Sequence, residues 1–286
     1  MPTIVIPAHN EAAGIERCLR AVLADGVPGL VVVVVANACA DDTAARARGF
    51  GGCVHVVETE RGGKVHAMNL GERHLRERGL DSFPRLFLDG DIELAPGSLA
   101  ALFCAAERTG ARVVAARPEF DTAGCALSVR LFYAAERFNP YHLSGAPNGS
   151  GTYCVNAAGR ARWGDFPEVI ADDGFVERQF SAAERETVAG ARARVRVPRT
   201  VAALRRVSAR VRLGTAELDR IAPLRADQLA AGGTFSAVFR SMAANPLRWP
   251  ALAAWTAIKL LERVESRALA RKQGVERWQQ DTSSRA

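Results

Sequence analysis

The chain lacks the cysteine spacing of a zinc site or a disulfide scaffold. Its six cysteines (Cys18, Cys39, Cys53, Cys104, Cys125 and Cys154) are scattered over 286 residues with no CxxC pair, and the plain reading is reduced thiols in a cytosolic protein. It also lacks a long apolar run. A membrane-spanning helix needs about 20 predominantly apolar residues, and the nearest window, Trp249 to Leu261, is interrupted by Lys259. The start, MPTIVIPAHNE, shows no basic leader and is expected to enter the first strand directly. These absences predict a cytoplasmic chain, soluble or peripheral on the inner face of a membrane. Three nucleotide and hydrolase signatures are missing too: GxGxxG after the first strand, GxxxxGK[ST] anywhere, and a GxSxG elbow, which removes a dinucleotide fingerprint, a P-loop and a nucleophile elbow. Lysine is nearly absent, with only Lys64, Lys259 and Lys272, so the net charge of +7 is carried by arginine.

What is present is an alternation of short apolar runs and helical patterns. Thr3–Pro7, Leu30–Ala36, Val54–Val57 and Arg85–Leu88 read as strands; Glu11–Leu23, Asp41–Arg48 and Lys64–Arg78 read as the helices between them. A β-α-β-α-β-α-β order predicts a parallel, Rossmann-like sheet with helices on both faces. Beyond Asp91 the pattern predicts a helix over 96–107, a strand over 111–117, a helix over 122–138, a Gly/Pro/Asn-rich loop over 139–151 and a strand over 152–156. From about residue 183 onward, Arg/Ala/Leu composition predicts mostly helices. The expected organisation is one domain over 1–213, with a division near residue 95 into halves 1–95 and 96–213, and a helical C-terminal appendage over 214–286.

Ligands of open parallel sheets bind at the carboxyl ends of the strands. The tips here are Pro7-Ala-His-Asn-Glu11, Asn37-Ala-Cys-Ala-Asp41, Glu58-Thr-Glu-Arg-Gly-Gly-Lys64 and Asp89-Gly90-Asp91. Two acids around a glycine suit a hard divalent cation that shares its shell with phosphate oxygens and water. A turn with solvated acids is the competing reading of Asp-x-Asp alone. From Thr187 to Leu213 there are eight arginines and no acid, a segment suited to anions or to a solvated helix face.

In combination, PAHNE, NACADDTA, RGGKVHAMN, FLDGD and the later GRARWGDFPEVIADDGF resemble the inverting family 2 glycosyltransferases of the GT-A fold, over roughly residues 1–213. The resemblance implies a Mn²⁺ or Mg²⁺ ion at Asp91 and Asp89 and a nucleotide-diphospho-sugar donor, UDP-linked in preference to GDP-linked. Pro7, Ala8, Glu11 and Asn37 would line the base and ribose, and Lys64 would approach the diphosphate. Arg206 and Arg210, one helical turn apart, would contact it together. The pair Asp172–Asp173 matches the family's acidic motif, with Asp173 the general base. The second tip reads Ala36-Asn37-Ala38 where the family often has DDGS, and no Trp follows the arginines. That argues for a single hexosyl addition rather than a processive polysaccharide synthase. The implied acceptor is a glycan, a lipid-linked or a small hydroxyl compound in polysaccharide or glycoconjugate biosynthesis, with peripheral membrane contact through 246–272 and no nucleic acid. Two other readings remain. One is a sugar-nucleotide nucleotidylyltransferase, which wants a Gly-rich basic loop after the first strand. The other is a non-enzymatic anion-binding module using 187–213.

Overall fold

The computed structural model describes residues 1–142, 145, 147–224 and 234–271. Its elements in chain order are β1 (Thr3–Ala8), α1 (Ile15–Ala24), β2 (Val31–Asn37), α2 (Thr43–Arg48), β3 (Val54–Thr59), α3 (Lys64–Glu77), β4 (Arg85–Leu88), β5 (Glu93–Leu94), α4 (Ser98–Ala106), β6 (Val113–Asp121), α5 (Leu127–Glu136), β7 (Thr152–Val155), α6 (Ala157–Arg160), α7 (Asp172–Glu177), β8 (Arg185–Arg196), α8 (Val201–Ile221), α9 (Thr234–Ala243) and α10 (Trp249–Arg271). The chain forms two compact units. One takes the described residues of 1–119, 144–168 and 179–195; the other takes those of 120–143, 169–178 and 196–286.

The first unit carries an eight-stranded sheet in the order β3-β2-β1-β4-β7-β6-β8-β5. The first four strands are parallel, with Thr3 opposite both Val31 and Arg85, and β7 then runs antiparallel to β4 and to β6. The run VVVVVAN is apolar at every position because both faces of β2 are covered: all seven of its residues are buried, as parallel strands require. Ile4, Ile6, Val32 and Val34 join the core with Ile15, Leu19 and Leu99, which come from α1 and α4. On the opposite face α3 lies so close that a Cβ on Gly71 would sit 2.7 Å from Val5 Cγ1 and 3.2 Å from Val35 Cγ2. The architecture is mixed α/β of the GT-A kind.

The structure corrects the reading of 183 onward. Arg185–Arg196 is a strand of 12 residues, not a helix. Ala191 and Ala193 are fully buried while Arg192 and Arg194 are exposed, so the alternation in GARARVRV has the period of a strand. Tertiary burial of alternate small residues overrides the helix propensity of Ala and Arg. A charge also begins β4. The Arg85 guanidinium is 1% exposed and meets Glu72 Oε1 at 2.6 Å and Asp81 Oδ1 at 2.5 Å, and Arg160 donates to Glu72 Oε2 at 2.5 Å. Buried charge is tolerated here because each group is paired and hydrogen-bonded.

In the second unit α10 packs on α5 and α8. Trp255, Ile258 and Leu252 are buried with Phe132 and Leu204. The apolar run of α10 is thus used in packing. Lys259, which interrupts it in the sequence, lies 3.8 Å from Glu136 Oε2 and 3.6 Å from Glu262 Oε2. Glu136 also accepts from Trp255 Nε1 at 2.6 Å and Asn139 Nδ2 at 2.7 Å, and meets His142 Nε2 at 3.2 Å. Burial alone would raise this carboxyl, but the His142 contact, the Lys259 charge and the Trp255 and Asn139 donors together bring it down to about 2. Its folded pKa is therefore below the usual carboxylate value. The stability it contributes is present above pH ~4.5 and is lost as pH falls toward ~2. We expect Glu136→Gln to lower stability at neutral pH by about 3 kcal/mol, the order found on breaking a buried ion pair. The deficit relative to wild type should shrink in chemical unfolding measured stepwise from pH 7 to 3; a pH-independent deficit would count against this assignment. No helix among the described residues is long and apolar enough to cross a membrane.

Candidate active site

The Asp89-Gly90-Asp91 turn closes the tip of β4 against Ala8, Glu11, Gly14 and Gly151. Asp89 N–H donates to Gly151 O at 2.9 Å, and Ile92 N–H returns to Asp89 O at 3.1 Å. A Cβ on Gly90 would stand 3.3 Å from Glu11 Cγ and 3.5 Å from Ala8 Cβ; one on Gly14 would stand 3.1 Å from Asp91 Cα. Gly151 has φ +67°, and a Cβ there would meet Ile92 Cγ1 at 2.8 Å and Asp89 Oδ2 at 3.1 Å. Glycine is required at 151 for both its left-handed backbone and its close approach. The backbone around Asp91 is thereby closely packed.

Charge converges on this turn. Lys64, the first residue of α3, places Nζ 2.8 Å from Asp89 Oδ1. Beneath the turn Cys18 is fully buried and its thiol lies 3.8 Å from Asp89 O. Burial pushes the Cys18 thiol well up, and the negative charges of Asp91, Asp89, Glu11 and Glu93 push it further. Two of these carboxylates have basic partners, Asp89 in Lys64 and Glu93 in Arg17. Among the described residues no three His, Cys, Asp or Glu side chains group as a metal cage. The donor set is one or two hard carboxylates, and this fits a Mg²⁺ or Mn²⁺ ion completed by phosphate and water.

The neighbouring tips are stapled together. Asn37 is 1% exposed; its Nδ2 donates to Ala8 O at 2.8 Å and its Oδ1 accepts from Gly63 N–H at 3.1 Å. Its amide therefore fixes β1 to the start of α3. His9 Nδ1 lies 2.6 Å from Asn37 O. Glu11 is buried, with its N–H on Thr43 Oγ1 at 2.8 Å. Asp41 accepts from Ala12 N–H at 3.0 Å and Thr43 Oγ1 at 2.5 Å. Burial alone would raise its carboxyl, but the Thr43 and Ala12 donors outweigh it and the net shift is downward. Asn10 and Ala38 both hold positive φ, 52° and 46°. For Ala38 this is strain that the surrounding bonds sustain. Pro7, Ala8, Glu11, Asn37, Lys64, Asp89 and Asp91 are in this way gathered at one edge of the sheet. Gly14, Thr43 and Gly151 complete the frame. Gly14 and Thr43 could not be read from the sequence, because their partners Asp91 and Glu11 lie 77 and 32 positions away.

The remaining predicted residues belong to the second unit. Asp172 and Asp173 occupy the first turn of α7, where acids are favoured by the helix dipole. Asp172 is buried, and Asp173 Oδ1 accepts from Gly174 N–H at 2.7 Å. Their segment is held on the second half of α8. Ile170 N–H donates to Glu217 Oε2 at 3.0 Å, Arg178 reaches Asp219 Oδ1 and Ala222 O, both at 2.6 Å, and a Cβ on Gly214 would meet Ala171 Cβ at 2.9 Å. The acid pair is thus positioned by residues beyond 213. Arg206 is exposed and Arg210 half-buried on the first half of the same helix.

The sequence profile of Glycosyl transferase family 2 matches residues 3–149. No curated protein matches the sequence. Among solved structures, glucosyl-3-phosphoglycerate synthase from Mycobacterium tuberculosis, in complex with Mn²⁺, UDP and glucosyl-3-phosphoglycerate, aligns over 79% of this chain and 81% of its own, at 21% identity and a TM-score of 0.53. S. aureus TarS 1-349, in complex with UDP-GlcNAc, aligns over 68% of this chain at 16% identity and a TM-score of 0.45, and the match spans 55% of that chain's length.

Proposed function

We propose that this chain, which belongs to glycosyl transferase family 2, moves a hexosyl unit from a UDP-linked sugar to an acceptor hydroxyl with inversion. The observation that carries the reading is the Asp89-Gly90-Asp91 turn, packed against Ala8, Glu11, Gly14 and Gly151 at a sheet tip with Lys64 on Asp89. Asp91 would be the main ligand of a Mn²⁺ or Mg²⁺ ion, with Asp89 oriented by Lys64 toward the ribose and phosphate side. When bound, that ion neutralises charge on the departing diphosphate. Lys64 adds a point charge to the same oxygens, and Arg206 and Arg210 supply forked donors to them. Pro7, Ala8 and Glu11 line the base and ribose, while Asn37 acts indirectly by fixing the β1 tip. Asp173 takes the proton of the acceptor hydroxyl as its oxygen attacks the anomeric carbon in line. Mn²⁺ and UDP, the ligands of the tuberculosis synthase, are those this reading assigns here. A nucleotidylyltransferase is disfavoured because Ala8–Gly14 contains no Arg or Lys.

The direct test is titration calorimetry of UDP and GDP, each with and without Mn²⁺. UDP is expected to bind in a metal-dependent manner and GDP at least tenfold more weakly. Metal-independent binding, or none, overturns the reading. Gly151→Ala probes the frame: its Cβ must displace Ile92 or Asp89. We expect a tenfold or greater loss of UDP affinity in Mn²⁺ and a destabilisation of about 1–3 kcal/mol from the strained backbone; unchanged affinity would detach Gly151 from the site. Peripheral membrane contact we assign to the turn before α10, where Leu247 is 90% and Trp249 56% exposed. Co-sedimentation with anionic vesicles should be lost in Leu247→Ser/Trp249→Ser, and equal pelleting of both proteins would refute that assignment.

A further inference from the structure

Lys64 stands at a helix position that disfavours a cation. It opens α3, a helix of 14 residues, and the N-terminal end of a helix carries partial positive charge. The first turn of α3 holds no acid to offset this. Asp89 offsets it from another element: Lys64 Nζ lies 2.8 Å from Asp89 Oδ1, with the two side chains 34% and 35% exposed. The other oxygen, Oδ2, lies toward Gly151, where an added Cβ would stand 3.1 Å from it. The ammonium thus holds one oxygen of Asp89, and Gly151 packs near the other.

The backbone that carries this lysine is pinned. Gly63 N–H donates to Asn37 Oδ1 at 3.1 Å, and Ala67 N–H donates to Gly63 O at 3.0 Å. Lys64 can therefore change partner by rotation along its four-carbon stem, with α3 left in place. Only three of the 38 basic residues are lysine. A compact point charge on a flexible stem suits an exchange of partners better than the planar fork of arginine.

Asp91, the main metal ligand of the proposed reaction, lies two residues from Asp89. An ammonium bonded to Asp89 and a divalent ion at Asp91 bring two cations to one turn. They repel at this range and compete for the same carboxylates. A diphosphate reverses the balance, because its oxygens accept from the ammonium and ligate the ion at once.

We propose that Lys64 is a placeholder cation: its ammonium holds the Asp89 carboxylate against divalent ions until a nucleotide diphosphate arrives, and then passes to the phosphate oxygens. Metal and nucleotide thereby enter together rather than singly. This rests on the transferase reading above. The coupling is reciprocal, so nucleotide tightens metal by the same factor as metal tightens nucleotide.

The test titrates Mn²⁺ into the full chain without nucleotide, reading free Mn²⁺ by electron paramagnetic resonance, and repeats the titration with saturating UDP. Wild type should bind Mn²⁺ at least 100-fold more tightly with UDP than without. Lys64→Met keeps most of the stem and removes the charge. It should bind Mn²⁺ alone at least tenfold more tightly than wild type, and UDP in Mn²⁺ at least tenfold more weakly. Lys64→Arg keeps the charge and should leave binding of Mn²⁺ alone within twofold of wild type. Mn²⁺ alone should raise the melting temperature of Lys64→Met and not that of wild type. A merely structural role for Lys64 would weaken both ligands together in Lys64→Met. If wild type binds UDP in Mn²⁺, but Lys64→Met binds Mn²⁺ alone no more tightly than wild type, the inference is overturned and the donor reading stands. Wild type that binds Mn²⁺ as tightly without UDP as with it overturns the inference as well. Failure of wild type to bind UDP in Mn²⁺ overturns the donor reading, and the inference with it.

Discussion

Replacement of Asp91 by alanine is expected to remove metal-dependent nucleotide binding while leaving the protein folded. In wild type the turn is set by Gly151 O, by the contact of Gly90 with Glu11 and Ala8, and by the approach of Gly14 to Asp91 Cα. These backbone and packing contacts remain in the variant, so the turn is expected to keep its shape. The substitution also removes one of the four negative charges that act together on Cys18, and relief of like-charge repulsion should leave the ligand-free melting temperature equal or slightly higher. The binding loss should be large. With one or two protein carboxylates in the ion's shell, deletion of the main one should weaken UDP in Mn²⁺ by about 100-fold, or about 3 kcal/mol. Without metal, both proteins should bind UDP equally weakly. Asp89→Ala should behave differently, since it releases Lys64 and should lower affinity with and without metal. An Asp91→Ala protein that retains wild-type affinity in Mn²⁺ would leave the Asp-x-Asp sequence as a turn and nothing more.

The parallel half of the sheet was legible because burial on two faces leaves an unbroken apolar run, as in Val31–Ala36, and helices between such runs show their own period. β5 was not legible: two residues carry no period. β8 had a signal, the alternation of Ala and Val with Arg, but its composition suits a helix equally, and only burial of Ala191 and Ala193 decides. The grouping of Asp89, Asp91 and Lys64 at the strand tips was legible, since Asp89 and Asp91 directly follow an apolar run and Lys64 pairs with Asp89. The direction in which a polar side chain turns was not. Asn37 reads as a base-binding amide, yet both ends of that amide are spent within the protein. Arg85 reads only as the first residue of a strand, and its burial depends on Glu72, Asp81 and Arg160, which lie 4 to 75 positions away. Lys259 follows the same logic: it looks like a break in an apolar face and is instead the partner of Glu136 and Glu262.

Asp173→Asn separates chemistry from binding. Asparagine is nearly isosteric, and its side-chain oxygen can still accept from Gly174 N–H as Asp173 Oδ1 does at 2.7 Å. The contacts that hold the segment, from Glu217 to Ile170 and from Arg178 to Asp219, do not involve residue 173, so α7 should keep its place. What is lost is the ability to take a proton. General-base catalysis contributes about 10²–10⁴-fold, and we expect kcat for sugar transfer to fall by about 10³-fold, with KM for the donor and UDP affinity in Mn²⁺ within twofold of wild type. Asp172→Asn should differ in kind. Asp172 is 4% exposed, and its replacement should lower the melting temperature more than it changes the chemistry of the remaining folded protein. The two residues are adjacent and share one helical turn, so a general electrostatic role would make the substitutions similar in kcat. A base assigned to Asp173 makes them unequal. Single-turnover transfer with each variant, at matched fractions folded, decides between these outcomes: a kcat for Asp173→Asn within threefold of wild type would remove it as the base and return the Asp172–Asp173 pair to helix initiation alone.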